Sequence, residues 1–298
     1  YDMFGASRVG WQTLQADIQF YRDTPSNLMT VAVANNGTAA QSVGGALFSS
    51  GVTANGSVTA TGFSPVIYHG GSEIFIYFTG LFTSSGIDAG DYMRIGLTDL
   101  ARSNAVFMGF EGTGGFSVSY ENNGVITTTV KASFNLDTLV GGGSSEFKRG
   151  TSPEAIDLTK FNVYRIRLGW VGGASVNYEV LSPNETWVTF HQQRFPNLGT
   201  SPTIRTADIY PFIDVVKTGN PGTDISILSG CIAAGNTYQK TNLHIIGQGS
   251  QTAANQNICL DVAGAGVTDC LHYNAISLEV IPSAGTVTAG VISFEGTN

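Results

Sequence analysis

The chain has 298 residues, enough for one large domain or two unequal ones. Hydrophobic residues make up 42% and charged residues only 12%, about half the roughly 25% of an ordinary soluble domain, so the surface must be built from Ser, Thr, Asn, Gln and Gly. The balance of 14 Lys and Arg against 22 Asp and Glu, net -8, excludes the basic surface that nucleic-acid phosphates need; the 38 glycines keep no G-X-Y register, which excludes collagen; and no apolar run approaches the roughly 20 residues of a membrane span.

The chain opens on Tyr1-Asp2-Met3, with neither a signal peptide nor an initiator Met, which reads as a processed or truncated end. Residues 35–55, rich in Gly, Ala and Ser, read as an exposed loop. Residues 73–79 (EIFIYFT) are nearly all apolar and aromatic, the pattern of a central strand buried on both faces. Asp88, Asp91 and Asp99 surround a glycine turn without EF-hand spacing, and turn aspartates usually serve their own backbone. Residues 116–120 and 125–130 flank Glu121-Asn122-Asn123-Gly124, where Asn-Gly supplies the positive φ angles of a tight hairpin. Residues 139–152, with the run Gly141-Gly142-Gly143, read as a second exposed loop. Ser152-Pro153-Glu154-Ala155 then resembles an N-cap with proline at the first helical position, predicting a helix of a couple of turns before Phe161.

From Asn162 the segment NVYRIRLGW alternates, with Val163, Arg165 and Arg167 on one face and Tyr164, Ile166, Leu168 and Trp170 on the other. After the Gly172-Gly173 turn, Ser175, Asn177 and Glu179 alternate with Val176, Tyr178 and Val180, and residues 187–191 read as a third strand of an antiparallel meander. The fold class is therefore all-β, with one or two short helices. A boundary is expected near Gly235, giving a β-sandwich domain over residues 1–235 and a small β-sandwich module over residues 236–298, one that looks cut short at Asn298.

A search for enzymatic constellations returns little. No Gly-x-Ser-x-Gly elbow and no His-Glu-x-x-His pair occurs, and His69, His191, His244 and His272 stand far apart, each reading as a hydrogen-bonded or surface histidine. Gly141 to Ser145 lacks the ending of a phosphate loop. Glu111 and Glu121 stand singly, and no strand carries the row of carboxylates a β-sandwich glycosidase needs, so the chain reads as no enzyme, with no cofactor and no metal site. Cys231, Cys259 and Cys270 are too few for a disulfide scaffold and fit no zinc spacing; Cys259 and Cys270 either close a small loop as a disulfide or stay thiols. The aromatic residues are the better candidates, because Trp and Tyr stack on sugar rings while neighbouring Ser, Thr and Asn bond hydroxyls. Trp11, Tyr68, Tyr92 and Tyr210 are the candidate glycan contacts, whereas Trp170 and Trp187 fall on strand positions that read as core.

The opening YDMFGASRVG resembles the D-x-F-G-R-x-R-V start of a group of virion proteins of tailed phages and large aquatic viruses. IYFTGLFTSSGIDAGDYMRIGLTD and FMGFEGTGGFSVSYENNGVITTTVKASFNLDTLVGGG resemble that group's central segments, and IDLTKFNVYRIRLGWVGGASVNYEVLSPNETWVTFHQQRFPN follows its next stretch. The chain departs from the pattern at Ala6 and Ser7 and where His191 is followed by Gln192 and Gln193. The resemblance spans roughly residues 1–234, and the ending TVTAGVISFEGTN resembles small sandwich modules of phage fibres.

What the resemblance implies is a non-enzymatic structural protein of a virus particle, in tail, fibre, spike or capsid exterior, with a concanavalin-like jelly-roll body. Its implied partners are copies of itself in a homotrimer, other virion proteins and a host-surface glycan. The competing expectation is a carbohydrate-binding module of a virion or a secreted bacterial protein. A glycan-cleaving enzyme would instead show two carboxylates converging in a groove at roughly 5–9.5 Å.

Overall fold

The computed structural model describes residues 12–68, 72–169, 174–198, 202, 204–219 and 221–237. The chain divides into two compact units, Tyr1–Gln239 and Lys240–Asn298. The second unit, with Cys259 and Cys270, lies outside the described residues, as do Trp11 and Trp170.

The first unit opens with β1 (Thr13–Gln19), the single-turn helix α1 (Pro25–Leu28), β2 (Met29–Ala34), β3 (Thr38–Ser42), β4 (Gly45–Ser49), β5 (Ser57–Gly62) and β6 (Val66–Ile67). The long β7 (Glu73–Thr83) leads to β8 (Tyr92–Thr98), β9 (Ala105–Glu111), β10 (Phe116–Asn122) and β11 (Val125–Val130). A short hairpin, β12 (Lys148–Arg149) and β13 (Ser152–Pro153), precedes the meander β14 (Asn162–Gly169), β15 (Val176–Leu181) and β16 (Trp187–Gln193). β17 (Asp208–Val216), β18 (Ser226–Ser229) and β19 (Cys231–Asn236) complete it.

These strands form two large antiparallel sheets. A nine-stranded sheet runs β16-β15-β14-β7-β18-β4-β3, with β19 on β7 and β1 on β19; an eight-stranded sheet runs β11-β10-β9-β8-β17-β5-β2, with β6 on β17. The chain changes sheet between β1 and β2, β2 and β3, β4 and β5, β6 and β7, β7 and β8, β11 and β14, and on both sides of β17, so each sheet is assembled from strands distant in sequence. The result is a jelly-roll β-sandwich. No helix among the described residues is long and apolar enough to cross a membrane.

Alternation supplies the core. Met93, Ile95 and Leu97 of β8 and Ile209, Ile213 and Val215 of β17 face Ile74, Ile76 and Phe78 of β7 and Tyr164, Ile166 and Leu168 of β14 in one buried cluster. Aromatic rings fill its centre: Phe78 stacks on Tyr164 at 5.3 Å, Phe82 meets Phe116 at 5.8 Å, and Phe134 meets Phe190 at 4.8 Å. Within this core the Tyr178 hydroxyl of β15 donates across the layers to the Ser119 carbonyl of β10 at 2.8 Å. Burial pushes that phenol's pKa above the usual tyrosine range.

The central strand β7, the β10–β11 hairpin and the β14–β15–β16 meander form where the pattern places them. The hairpin closes through a two-residue turn, Asn123 at φ 52° and Gly124 at φ 81°, so β10 runs two residues further than the apolar run alone indicates. Three expectations are corrected. Residues 35–55 are not a loop, for β3 and β4 pair across them from Thr38↔Ser49 to Ser42↔Gly45. Ala46 and Phe48 point into the core while the edge strand β3 carries only polar residues and alanines, mostly exposed, so no hydrophobic alternation marks it.

Ser152-Pro153 starts no helix either. Gly150 at φ 64° turns the chain so that Arg149 pairs with Ser152 and Lys148 with Pro153. The same Ser/Thr-Pro signal at Thr24-Pro25 does open a helical turn, closed from the Asn27 amide to the Thr24 carbonyl at 3.0 Å. Residues 139–152 are not one exposed loop either, since Leu139, Ser145 and Phe147 are buried and Lys148–Arg149 forms β12; Asp137 gathers the segment, its carboxylate accepting from the Leu139 amide at 2.8 Å, the Ser145 hydroxyl at 3.0 Å and the Glu146 amide at 2.6 Å.

Candidate functional site

The outer face of the eight-stranded sheet is set by register. Phe212, Asp214 and Val216 of β17 lie opposite Gly96, Arg94 and Tyr92 of β8, and these lie opposite Phe107, Gly109 and Glu111 of β9. The intervening residues are core, so these nine positions point away from it.

Arg94 is the centre of the face. Its guanidinium lies 3.8 Å from the centre of the Tyr92 ring and 5.0 Å from that of Phe107, and it forms a bidentate pair with Glu111 at 2.5 and 2.7 Å. Burial alone would lower its pKa, but the Glu111 bonds and charge outweigh burial and hold it above its ordinary value. Gly109, directly across from Arg94, has φ 151°, and a Cβ there would stand 1.8 Å from the Met93 carbonyl oxygen. Only glycine fits, and its bareness leaves room beside the guanidinium.

A second pair lies one strand over. Arg102, from the β8–β9 turn, bonds Asp214 and donates to the Thr61 hydroxyl at 2.7 Å, with its guanidinium 5.4 Å from the Phe212 ring centre. The other Asp214 oxygen, Oδ1, is buried without a hydrogen-bond partner, and burial raises the pKa of this carboxyl against the pull of Arg102. Phe107 and Phe212 meet edge-on at 6.0 Å and pack with Ala105 and Ile126. Hydroxyls rim the strip, with the Ser119 and Thr128 oxygens 2.9 Å apart across β10 and β11.

The nine-stranded sheet carries a denser charge network outward. Glu179 of β15 bonds Arg165, takes Arg167 at 2.9 and 3.0 Å, and accepts from the Thr189 hydroxyl at 2.9 Å, while Arg167 reaches Glu73 of β7 at 3.4 Å. Arg165 lies 4.2 Å from the centre of the Trp187 ring, and Tyr77 meets that ring edge-on at 5.6 Å. Trp187 is therefore not core, as its strand position suggests, but half-buried on the outer face beside Arg165. Two carboxylates do converge here, on strands flanking β14, an arrangement invisible to a search for carboxylates along one strand. Their environments differ. Burial raises Glu73 against the pull of Arg167, whereas for Glu179 burial is outweighed by the bonds from Arg167 and Arg165 and the pKa falls. At 2% side-chain exposure and with four donors on its two oxygens, Glu179 is a structural counter-ion, not a free base.

Of the aromatic candidates, the structure brings Tyr92 and Tyr210 to one face. They sit at opposite ends of it, since Tyr210 lies six residues before the partner of Tyr92 on β17, a separation of roughly 20 Å at about 3.4 Å per residue. Tyr68 packs against the core just after β6 and does not join them. Glu111, which reads as solitary in sequence, is the clamp on Arg94; its partner lies across the sheet 17 residues away. Asp91 is occupied by protein donors, accepting from the Asp88 amide at 2.9 Å and the Thr218 amide at 2.6 Å. Among the described residues no group of His, Cys, Asp and Glu is placed to hold a metal ion. Cys231 is a half-buried free thiol.

No family model matches the chain, and no curated protein matches it. Solved structures do. Basic winged bean lectin, crystallised with Tn-antigen, is 9% identical, with 74% of this chain and 97% of that one covered and a TM-score of 0.45. A protein of unknown function from Shewanella oneidensis is 14% identical over 78% of this chain and 90% of its own, TM-score 0.46. The endo-β-1,4-glucuronan lyase of Trichoderma reesei is 12% identical over 75% and 95%, TM-score 0.45. At such identities the likeness is one of chain layout and assigns no role to any residue here.

Proposed function

We propose that this chain is a non-enzymatic glycan-binding β-sandwich whose ligand lies on the outer face of the eight-stranded sheet. One observation carries the reading. Tyr92 stands half-exposed at the end of the strip, backed by a guanidinium that Glu111 clamps, so that an aromatic ring and its polar neighbours are fixed before any ligand arrives. Sugars present both an apolar ring face and a fringe of hydroxyls, and the strip offers the Tyr92 ring at one end and the Thr61, Ser119 and Thr128 hydroxyls in the row of Gly96, four residues further along β8.

The experiment is a glycan array probed with the full chain and with Tyr92→Ala, Tyr210→Ala and Trp187→Ala. Tyr92→Ala is expected to lose about tenfold in affinity, the scale of one good aromatic contact, while Trp187→Ala on the opposite sheet retains binding. An array on which the wild-type chain binds nothing overturns the glycan reading.

The resemblance of residues 1–234 to virion proteins supports placing such a module on the outside of a particle, where glycan binding serves attachment, and as a homotrimer. Low surface charge favours assembly of copies, because few charges must be desolvated. Light scattering that returns a monomer at micromolar concentration counts against the trimer and leaves the glycan proposal standing.

A further inference from the structure

β16 is an edge of the nine-stranded sheet, and its free side is covered by the segment 134–137. The Leu136 and Asp137 amides donate to the Phe190 carbonyl at 3.2 and 3.0 Å. Asn135 and Gln192 exchange two bonds, the Gln192 amide to Asn135 Oδ1 and Asn135 Nδ2 to the Gln192 carbonyl, each 2.9 Å. Where these segments meet, the β15–β16 pairing slips: Tyr178 faces His191, but the next residue, Glu179, faces Thr189, leaving Phe190 as the extra residue of a bulge.

The bulge breaks the in-out alternation, so Phe190 and His191 both reach aromatic neighbours of the core. Phe190 lies 4.8 Å from Phe134, and His191 lies 5.7 Å from Phe134 and 6.0 Å from Tyr178. His191 is left 5% exposed, and both of its ring nitrogens are buried without a hydrogen-bond partner. Buried polar atoms rarely go unpaired, and those that do ask for an explanation.

The explanation lies beside the ring. His191 lines a cavity of about 400 Å³ with Asn135, Leu136, Gln192, Gln193 and Arg194. Asn135 is spent on Gln192, and Gln192 is spent on Asn177 at 2.9 Å and on Arg194 Nε at 2.6 Å. That last bond holds Arg194 by its inner nitrogen and leaves the terminal pair unbonded. The Gln193 side-chain amide lies beside the imidazole, and no Asp or Glu lines the cavity. The walls therefore present an unpaired guanidinium fork, the Gln193 amide, an imidazole with one donor and one acceptor, and the apolar Leu136.

We propose that this cavity binds a hydroxylated ring bearing a carboxylate, an acidic monosaccharide of the hexuronate class. Arg194 receives the carboxylate in bidentate fashion, His191 and Gln193 bond ring hydroxyls, and Leu136 takes the apolar side of the ring. Burial holds the imidazole below its usual pKa, which suits a neutral hydroxyl partner. The site stands on its own residues and does not depend on the Tyr92 face.

The test is calorimetric titration of the full chain at pH 7 with glucuronate, glucose and acetate. Glucuronate is expected to bind at least tenfold more tightly than either of the others. Arg194→Gln should abolish the preference over glucose. His191→Phe, which keeps an aromatic ring in the bulge, should weaken glucuronate about tenfold, with Tyr92→Ala unchanged. Arg194 is exposed, so Arg194→Gln keeps the test decisive if His191→Phe does not fold. Glucuronate binding no better than glucose, binding equally to Arg194→Gln, or matched by acetate overturns the proposal.

Discussion

Glu73 and Glu179 share Arg167 yet titrate in opposite directions, and the stability of the fold should record both. Glu179 has a folded pKa below its unfolded one, so its contribution is present above the ordinary carboxylate range, near 4, and is lost as pH falls through the lower folded value. Glu73 and Asp214 have folded pKa values above the unfolded ones. The folded state takes their protons more readily, so stability rises as pH falls from neutral through those raised values. Urea midpoints are thus expected to increase as pH falls from neutral through the raised values of Glu73 and Asp214 and to drop as it falls further through the lowered value of Glu179, with Glu73→Gln blunting the rise. The titrations belong at low protein concentration, because the net charge of -8 shrinks over the same window. Removing Glu179 strands two largely buried arginines, and Glu179→Ala should cost about 3 kcal/mol. Arg149→Ala breaks a pair 73% and 40% exposed and should fall within about 0.5 kcal/mol of wild type in the same assay.

At the scale of elements, what was legible in sequence is what carried either large side chains or turn chemistry. β7 declares itself by the unbroken apolar and aromatic run over residues 74–78, and the β10–β11 hairpin by Asn123-Gly124, residues that accept positive φ. β3 is silent because an edge strand of Thr, Ala, Gln and Ser buries little and offers no alternation to read, and β4, though mostly buried, carries only Leu47 and Phe48 as large apolar residues. Ser152-Pro153 misleads because the same dipeptide suits a helix start or the end of a tight hairpin, and Gly150, two residues earlier, decides between them. Glycines separate along the same line. Gly109→Ala would drive a Cβ into the Met93 backbone in the middle of a sheet, at a φ that L-residues rarely adopt. It should cost several kcal/mol or prevent folding. Gly142→Ala meets nothing within 4 Å in the Asp137 loop and should leave the unfolding midpoint within about 0.5 kcal/mol of wild type.

Across the whole molecule, the candidate site is the part that sequence conceals most, because its rows run across strands and not along them. Arg102 and Asp214 are 112 residues apart, and Arg102 and Thr61 are 41 apart, so no local window contains the constellation. The closure of the first unit is equally nonlocal. β19 pairs with β1 from Thr13↔Asn236 to Gln19↔Cys231 and with β7 from Ile74↔Asn236 to Phe78↔Ile232, so the two ends of the unit are zipped to each other and to its central strand. Ile232 and Ala234 are fully buried in the common core. A chain ending at residue 239 keeps every one of these pairings and should unfold in one cooperative urea transition. A chain ending at residue 230 loses the strand that joins β1 to β7, leaves both with unpaired backbone donors and acceptors, and opens the core where Ile232 sat. It should show no cooperative transition by circular dichroism. Equal behaviour of the two truncations would mean that β19 does not close the sandwich, and that the order β1-β19-β7 does not hold the sheet together.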